Sequence, residues 1–278
     1  MKKVIGIIGF GNMGSAIAER AKTQYKVAVF DKDIEKTKHL KGIKVFTTIL
    51  ELIKNSDVII LAVKPQDLDG VLGKIKDYVD NKLVVSIAAG VLTRYIEKNL
   101  GKVKVVRVMP NLPAKFGKGM SCIAKGKFVQ RGDIRLVEKI FNKVGKTKVI
   151  NENLMDAATA VSGSGPGFYF VSADVMRDKY EQNRNEFTED FILYLINAAR
   201  EAGFNYKDAK LLATTTGTAS EYMVVNSRVA PAELGKQVTS KGGTTEAGLI
   251  ELKGNPKNLT KAVKAALKRA KELSKKER

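Results

Sequence analysis

Short apolar runs alternate with amphipathic segments over the first 150 residues of the chain. Runs rich in Val, Ile and Leu predict strands at 4–8, 26–30, 43–46, 58–63, 83–87, 103–108, 120–124 and 148–150. Helical spacing of apolar residues predicts helices at 33–40, 49–54 and 133–144. Continuous apolar strands separated by helices are typical of a parallel sheet that is covered on both faces. The pattern therefore predicts an α/β fold with a doubly wound, mostly parallel sheet.

The spacing of apolar residues changes near residue 151. From there on, apolar positions recur at helical intervals, as in Phe191, Leu195 and Ala198, and no strand-like run is evident. We predict a dinucleotide-binding domain at 1–150 and an all-helical domain at 151–278. Residues 253–278 carry ten Lys or Arg and two Asp or Glu, and an apolar stripe at 260–274 predicts a terminal helix with a basic outer face. We expect this half to lack a compact core of its own, and hence at least a homodimer built through it.

The turn after the first strand has the residues of a dinucleotide-binding motif. Gly9 permits a sharp turn, Gly11 lets a pyrophosphate approach the backbone, and Gly14 permits close packing of helix on strand. The phosphates would then meet the positive end of the helix dipole. Asp31 follows Gly9 by 22 residues, where a carboxylate accepts hydrogen bonds from an adenosine ribose. The motif predicts a Rossmann-type nucleotide site; the alternative is a glycine-rich turn that serves packing alone.

Composition sets limits on partners and compartment. The net charge of +20 comes mainly from dispersed lysines, and no helix-turn-helix, zinc-finger or aromatic-basic pattern accompanies it. We expect a solvated basic surface that draws in an anionic substrate and cofactor, and no nucleic-acid partner. The single Cys122 excludes an internal disulfide and a Cys-based metal site, and no metal is expected. The apolar run after Lys2 and Lys3 is too short and glycine-broken for a signal peptide or membrane span, so we expect a cytoplasmic protein.

Five further stretches of small or turn-forming residues carry candidate binding groups. They are Ala62–Gln66, Ala88–Gly90, Met109–Pro113, Ser162–Gly167 and Val238–Thr245. The first three follow predicted strands, and ligands of doubly wound sheets bind at that edge. The last precedes a helix-like segment at 246–251, so its backbone amides would make an anion site suited to a carboxylate. The alternative for each stretch is a turn or a helix cap.

The scarcity of histidine bears on the chemistry. The single histidine, His39, lies on a predicted surface helix, where we expect it to be solvated. Reduction of a ketone needs a group that donates a proton to the developing alkoxide, commonly His or Lys. A protonated cyclic imine needs less, because its C=N carbon is already electrophilic. A site of hydroxyls and backbone amides therefore suits an imine better than a ketone.

Taken together and in this order, the motifs resemble those of the pyrroline-5-carboxylate reductase family, over essentially the whole chain. Thr159–Pro166 and Val238–Thr245 are the stretches specific to that family. The resemblance implies an oxidoreductase that reduces 1-pyrroline-5-carboxylate to L-proline, the last step of proline biosynthesis, with hydride from NADH or NADPH. It also implies a nucleotide domain followed by a helical dimerisation domain that interleaves with its partner, with the active site between subunits.

Carried over by position, the resemblance assigns roles to individual residues. Cofactor contacts fall on Gly9, Gly11, Asn12, Met13, Gly14, Val63, Lys64 and Pro65, and further ones on Ala89, Gly90 and Asn111. Ser240, Gly243 and Thr244 would bind the substrate carboxylate, largely through backbone amides. Thr245 would bind the ring nitrogen as hydrogen-bond partner and proton relay, which makes it the catalytic candidate. Residues 162–166 would form a loop that closes the pocket.

Three positions depart from the family pattern. Lys241 stands where the family usually has proline, and it puts a cation close to the carboxylate site. Lys236 replaces an acid that is often found there, and extra polar residues at 177–190 lengthen the connection after the Ser-Gly-Ser-Gly-Pro segment. None of the three removes a residue assigned to chemistry.

Charge at the end of the second predicted strand bears on the choice of cofactor. Asp31 would accept a bond from the 2′-hydroxyl of NADH and repel the 2′-phosphate of NADPH, and Lys32 would partly offset that repulsion. We expect both cofactors to work, with NADH preferred.

Three alternatives to this function stay open from the sequence. They are a hydroxy-acid dehydrogenase of the 6-phosphogluconate type, a reductase of a related cyclic imine, and a non-enzymatic nucleotide- or nucleic-acid-binding protein. The hydroxy-acid dehydrogenases place a catalytic Lys and Asn on the helix after the glycine loop. After Gly163 this chain continues Ser-Gly-Pro-Gly-Phe-Tyr-Phe, which counts against that alternative.

Overall fold

Two compact units make up the chain in the computed structural model, which describes residues 3–276. The first unit reaches to Met109 and takes up Ser121–Glu152, and the second consists of Pro110–Met120 and Asn153–Lys276. The domains at 1–150 and 151–278 stay a prediction, since Pro110–Met120 groups with the second unit. Lys2, considered above, and the last two positions of the helical half lie outside the described residues.

An eight-stranded sheet organises the first unit. Its strands are β1 (Val4–Ile8), β2 (Lys26–Phe30), β3 (Lys44–Val45), β4 (Val58–Leu61), β5 (Leu83–Ser86), β6 (Lys104–Met109), β7 (Gly119–Lys125) and β8 (Gly145–Val149). The order across the sheet is β3-β2-β1-β4-β5-β6-β7-β8. Neighbours from β3 to β6 are parallel, whereas β6 and β7 are antiparallel. This arrangement confirms the predicted doubly wound, mostly parallel fold.

Five α-helices accompany the sheet: α1 (Asn12–Ala21), α2 (Ile49–Lys54), α3 (Pro65–Ile75), α4 (Thr93–Leu100) and α5 (Arg131–Phe141). Every residue of β4 and β5 is buried, which explains why Ser86 is the one polar residue in the two strands. α3 buries Leu68, Val71, Leu72 and Ile75, the spacing of one helical face, in the same core. The core thus lies between the sheet and its helices.

The helix predicted at 33–40 is wrong. A short 3-10 helix, Ile34–Thr37, occupies only part of the segment. The side chain of Asp33 accepts a bond from the Glu35 amide, 3.2 Å, and so begins the turn. His39 has a φ of 64°, in the left-handed region, and a right-handed helix cannot pass through that conformation. The side chain of His39 is exposed, as expected.

The elements described from Glu152 to Lys276 are all helical, which confirms the predicted helical half. The α-helices are α6 (Met155–Ala158), α7 (Gly165–Val175), α8 (Arg177–Gln182), α9 (Arg184–Glu201), α10 (Tyr206–Asn226), α11 (Pro231–Val238), α12 (Thr244–Leu252) and α13 (Leu259–Lys276). The polar segment at 177–190 is not an extended connection, because α8 and the first turns of α9 occupy it. Within residues 3–276, no helix has the length and apolar character that a bilayer span requires.

The helical unit has an aromatic core of its own, so the expectation that it lacks one is wrong. Phe168, Tyr169 and Phe170 on α7 and Phe187 and Phe191 on α9 are almost completely buried. The ring of Tyr169 meets those of Phe187 and Phe191 edge to face, with centroids 5.7 and 5.0 Å apart. Edge-to-face packing of this kind stabilises a core beyond the area it buries.

Candidate functional site

The segments that follow β1, β2 and β4 lie side by side at one edge of the sheet. β1 lies between β2 and β4. The strands run in descending order on one side of β1 and in ascending order from β4 on, so the strand order reverses between β1 and β4. The Gly9 amide donates to the Phe30 carbonyl, 2.8 Å, and the Ala62 amide to the Ile8 carbonyl, 2.8 Å. Doubly wound sheets bind ligands in the crevice at such a reversal. The predicted cofactor residues on these segments are therefore brought together.

The three motif glycines of the turn have different surroundings. Gly9 has a φ of 99°, and a Cβ there would lie 2.6 Å from the Ala62 carbonyl oxygen. A Cβ at Gly14 would lie 2.1 Å from the Gly9 carbonyl oxygen, so α1 packs directly on the turn. Gly11, the N-cap of α1, has open space: apart from Gly11 itself, its chain neighbours and its own helix, no heavy atom of the described chain lies within 4 Å of a Cβ. Packing alone does not explain Gly11, whereas approach of a pyrophosphate to the backbone does.

The first turn of α1 fits an anion. Asn12 and Met13 open the helix, and the turn contains no acidic residue. Among the described residues, no side chain caps the helix at Gly11. The amides of a first turn have no acceptor within their own helix, and they carry the positive end of its dipole. The cradle formed by Gly9–Gly14 therefore fits the phosphates of a dinucleotide.

Asp31 follows β2 and is bonded to the glycine turn. Its Oδ2 accepts from the Phe10 amide, 2.6 Å, and its Oδ1 from the Asp33 amide, 2.9 Å. Lys36 Nζ lies 3.6 Å from Oδ1, and the side chain of Asp31 is only 7% exposed. Burial acts to raise the pKa of Asp31, but the two amides and Lys36 outweigh it, so the pKa lies below its ordinary value. The carboxylate is thus ionised and fixed beside the turn.

The remaining cofactor candidates of the first unit follow β4 and β5. Lys64 is the N-cap of α3 and is exposed, Pro65 is the first residue of that helix, and Val63 is half-buried. Ala89 is exposed after β5, and Gly90 has a φ of 79°. Because β1, β4 and β5 are parallel neighbours, the segments that follow β4 and β5 begin at the same edge of the sheet as the glycine turn, the edge formed by the carboxyl ends of the strands.

Asn111 differs from the other cofactor candidates, because it groups with the second unit. Its side chain is 3% exposed, and Nδ2 donates to the Ser162 carbonyl, 3.0 Å, while Oδ1 accepts from the Met120 amide, 2.8 Å. The Ser162 carbonyl would ordinarily accept from residue 166, but Pro166 has no amide hydrogen. The side-chain amide of Asn111 thus supplies the Ser162 carbonyl with a donor that Pro166 lacks.

Residues 162–166 lie in a helical segment, so the prediction that they form a loop is wrong, whereas their role in closing the pocket stays a prediction. A π-helix at Thr159–Gly163 leads into α7, and the Ser164 amide donates to the Thr159 carbonyl, 2.8 Å. A Cβ at Gly165 would lie 2.7 Å from Thr216 Cγ2, so the segment is closely packed. Single π-turns occur frequently at functional sites.

The second group of candidate residues lies at the start of α12. Gly243 is the N-cap, and no side chain of the described residues caps the helix there. The Gly243 amide donates to the Ser240 carbonyl, 2.9 Å, so the turn itself uses it. The first-turn amides of Thr244 and Thr245 have no acceptor within the helix and are the donors suited to a carboxylate.

The two segments with family-specific sequence meet in the second unit. The hydroxyls of Ser164 and Thr244 are 3.0 Å apart and hydrogen-bonded. A Cβ at Gly167 would lie 2.6 Å from Thr245 Cγ2, so only glycine lets α7 approach Thr245 this closely. Thr245 is 4% exposed and Ser164 is completely buried. Ser164 was not among the predicted site residues, although the small-residue segment around it was.

The two lysines that depart from the family pattern have different surroundings. Lys236 pairs with Glu233 on the same helix at 2.6 Å, which raises the pKa of the ammonium group. Both side chains are exposed, so this pair is a local contact on α11. Lys241 is exposed in the turn between Ser240 and Gly242, next to the candidate carboxylate site.

A Rossmann-type sheet with an open glycine cradle, followed by a helical unit with a helix start that suits an anion, is the arrangement of a nucleotide-dependent oxidoreductase. A family model described as "NADP oxidoreductase coenzyme F420-dependent" matches residues 4–90, and one described as "Pyrroline-5-carboxylate reductase dimerisation" matches residues 187–273. The pyrroline-5-carboxylate reductases of Methanosarcina acetivorans and Aquifex aeolicus are 36% and 35% identical, over 98% and 97% of both chains. This chain belongs to the pyrroline-5-carboxylate reductase family.

A solved structure agrees with these relatives. The Plasmodium falciparum pyrroline carboxylate reductase with NADP bound has a TM-score of 0.63, is 31% identical and is aligned over 98% of both chains. The resemblance stated from the motifs is thereby confirmed. The hydroxy-acid dehydrogenase and the non-enzymatic alternatives are not favoured by these similarities.

Proposed function

We propose that this chain reduces 1-pyrroline-5-carboxylate to L-proline with NADH or NADPH, the last step of proline biosynthesis. The relatives described above carry the name of this activity. The observation that carries the proposal is the 3.0 Å bond between the Ser164 and Thr244 hydroxyls. This bond joins the two family-specific segments at a helix start whose amides fit a carboxylate.

The first unit would hold the cofactor. The amides at Gly11, Asn12 and Met13 would bind the pyrophosphate, and Asp31 would bind the adenosine ribose. Gly9 and Gly14 act by permitting the turn and its packing, with no contact of their own required. When bound, NADH or NADPH supplies the hydride that C5 of the pyrroline ring receives. We expect NADH to be preferred, for the charge reason given above.

The second unit would hold the substrate. Thr244 and Thr245 would donate their amides to the carboxylate, and Ser240 would add its hydroxyl. The Thr245 hydroxyl would bond to the ring nitrogen and relay its proton. Because a protonated imine already has an electrophilic carbon, this hydroxyl and these amides suffice without a histidine. Ser164 holds the Thr244 side chain and so fixes the first turn of α12.

The assembly and the compartment belong to the same proposal. We infer at least a homodimer through the helical unit, because the match at 187–273 is to a model described as a dimerisation region. We infer a cytoplasmic enzyme with a small-molecule substrate and no nucleic-acid partner. Its dispersed positive charge would help to draw in an anionic substrate.

The test is oxidation of NADH and of NADPH in the presence of 1-pyrroline-5-carboxylate, with Thr245→Val as the variant. Valine keeps the shape of this buried side chain and removes its hydroxyl. We expect kcat/KM to fall about a hundredfold, the usual size of a lost proton-transfer group. Thr23→Val, which removes an exposed hydroxyl from the first unit, is the control and should retain wild-type turnover.

Two results would contradict the proposal. Absence of turnover by the wild type with either cofactor would exclude this substrate, and piperideine-2-carboxylate would then test the related six-membered imine. Full activity of Thr245→Val would remove the catalytic role of the Thr245 hydroxyl but leave the reaction itself standing.

A further inference from the structure

The turn before α12 is held at Gly242 by two charged side chains. Arg269, on α13, donates from Nε to the Gly242 carbonyl, 2.7 Å. Glu246, in the first turn of α12, accepts from the Gly242 amide through Oε2, 2.7 Å. Both the amide and the carbonyl of Gly242 are thus hydrogen-bonded to charged side chains. Charge-assisted bonds of this length are about twice as strong as neutral ones.

The same two peptide groups set the conformation of the candidate carboxylate site. Gly242 has a φ of 68°, which an L-residue adopts only with strain. The next peptide donates from the Gly243 amide to the Ser240 carbonyl, 2.9 Å, while its carbonyl accepts from Arg269. The direction of this peptide decides where α12 begins, and therefore where the Thr244 and Thr245 amides point.

The guanidinium group of Arg269 is itself oriented. Its Nη1 lies 3.0 Å from Oε2 of Glu272, one turn further along α13, and the side chain is 29% exposed. Bonds through both Nε and Nη1 use the planar fork that distinguishes arginine from lysine. A lysine at this position would supply the charge but could not make both contacts in this geometry.

The charge of Arg269 also suits an anion site. Glu246 places a carboxylate in the first turn of α12, where a substrate carboxylate would meet repulsion. Its bond to the Gly242 amide turns that carboxylate back toward the loop. Arg269 adds a positive charge on the same residue of the loop and offsets the charge of Glu246.

We propose that Arg269 is a positioning residue that fixes the Gly242 turn, so that the Thr244 and Thr245 amides are arranged for the substrate carboxylate. The inference rests on the proposed function, because it concerns binding of the same carboxylate. Arg269 acts on affinity for the carboxylate and has no part in hydride transfer or in cofactor binding.

The experiment compares Arg269→Gln and Arg269→Lys with Lys268→Gln, which removes one exposed charge from the neighbouring position of the same helix. We expect KM for 1-pyrroline-5-carboxylate to rise about tenfold or more in both Arg269 variants, the effect of one lost charge-assisted bond. The KM for NADH or NADPH should stay at the wild-type value, and the midpoint of thermal unfolding should fall by no more than about 4 °C, the effect of one lost bond. Lys268→Gln should resemble the wild type in all of these measurements.

Each other outcome has a definite meaning. A wild-type KM in Arg269→Lys would show that charge alone matters and would overturn the positioning role. Equal rises in the KM for substrate and for cofactor, or a large loss of thermal stability, would assign Arg269 a general structural role instead. A wild type without turnover would overturn the proposed function, whereas an active wild type with unchanged Arg269 variants would overturn only this inference.

Discussion

The carboxylate of Asp31 accepts hydrogen bonds from the backbone and is also the predicted acceptor for the adenosine ribose. It accepts from two backbone amides, and its pKa lies below the ordinary value. A carboxyl group whose pKa is lowered on folding stabilises the protein above its unfolded-state pKa. That contribution is lost as the pH falls below the ordinary aspartate value and through the lowered one. At neutral pH the charge is fully present and available to a ribose hydroxyl.

Replacement of Asp31 by serine tests its predicted effect on the choice of cofactor. The change removes the acceptor for the 2′-hydroxyl and the repulsion of a 2′-phosphate. We expect the ratio of kcat/KM for NADH to that for NADPH to fall about tenfold, the effect of one bond to a charged group. Steady-state kinetics with both cofactors would measure it.

The matched control for this prediction is Asp33→Ser, which makes the same charge change at an exposed position two residues away. Its ratio should stay near that of the wild type. A wild-type enzyme that strongly prefers NADPH would contradict the expected NADH preference. An unchanged ratio in Asp31→Ser would assign the carboxylate a structural role only.

Single residues were the hardest to predict from the sequence. The geometry of the glycine cradle could be predicted from residue types and spacing, because each glycine meets a separate local requirement. Its binding of phosphates stays a prediction. Ser164 was missed as a site residue, because its bond to Thr244 joins positions 80 residues apart. Arg107 was likewise unforeseen: it lies in a buried strand at 1% exposure, with Nη1 3.9 Å from Oε1 of Glu152.

At the scale of elements, the turn between β1 and α1 offers a matched pair of substitutions. Gly14→Ala would place Cβ 2.1 Å from the Gly9 carbonyl, so α1 must move away from the strand. Gly11→Ala meets open space and a φ of −77°, which alanine adopts readily. We expect Gly14→Ala to lower the free energy of unfolding by about 3 kcal/mol or more, as overpacking against rigid backbone does.

Gly11→Ala should weaken binding of the dinucleotide and leave the stability of the fold nearly unchanged. The free energy of unfolding should change by less than about 1 kcal/mol, the size of an N-cap substitution. The dissociation constant for the dinucleotide should rise about tenfold, because the methyl group fills the space into which the phosphates fit. Chemical denaturation and calorimetric titration of NADH measure the two effects. Tight NADH binding by Gly11→Ala would place the phosphates elsewhere.

Elements with a strong local pattern were predicted well. β1, β2 and α2 have the predicted bounds, because continuous apolar runs and capping residues mark their ends. The prediction of a helix at 33–40 was wrong because the side chain of Asp33 bonds to the backbone and His39 has a left-handed conformation, and both compete with a regular helix there. The prediction of a loop at 162–166 was wrong because glycine and proline usually indicate a turn, whereas here close tertiary packing accompanies a helical conformation.

At the scale of the molecule, we expect the helical unit to bury further apolar surface in a homodimer. Tyr222 and Val225 are 37% and 52% exposed and lie three residues apart on α10, on one face of the helix. Val225→Glu would place a charge in that contact. We expect it to shift the protein toward monomer, which sedimentation velocity at several concentrations would measure.

Ile34→Glu makes the same change at a side chain that is 57% exposed in the first unit, and it should leave the assembly unchanged. A wild type that sediments as a monomer at micromolar concentration would contradict the homodimer. A stable Val225→Glu dimer would move the contact to another face. The sequence predicted the helical half but not its aromatic core, because periodicity shows which face is apolar and not what covers it.

The bond from Asn111 to Ser162 has a consequence for redesign of the chain. Pro166 removes a donor from the helix, and an amide 55 positions earlier in the chain supplies another. A change at either residue therefore alters what the Ser162 carbonyl can bond to. In a chimera of related chains, residues 111 and 166 should therefore come from the same parent protein.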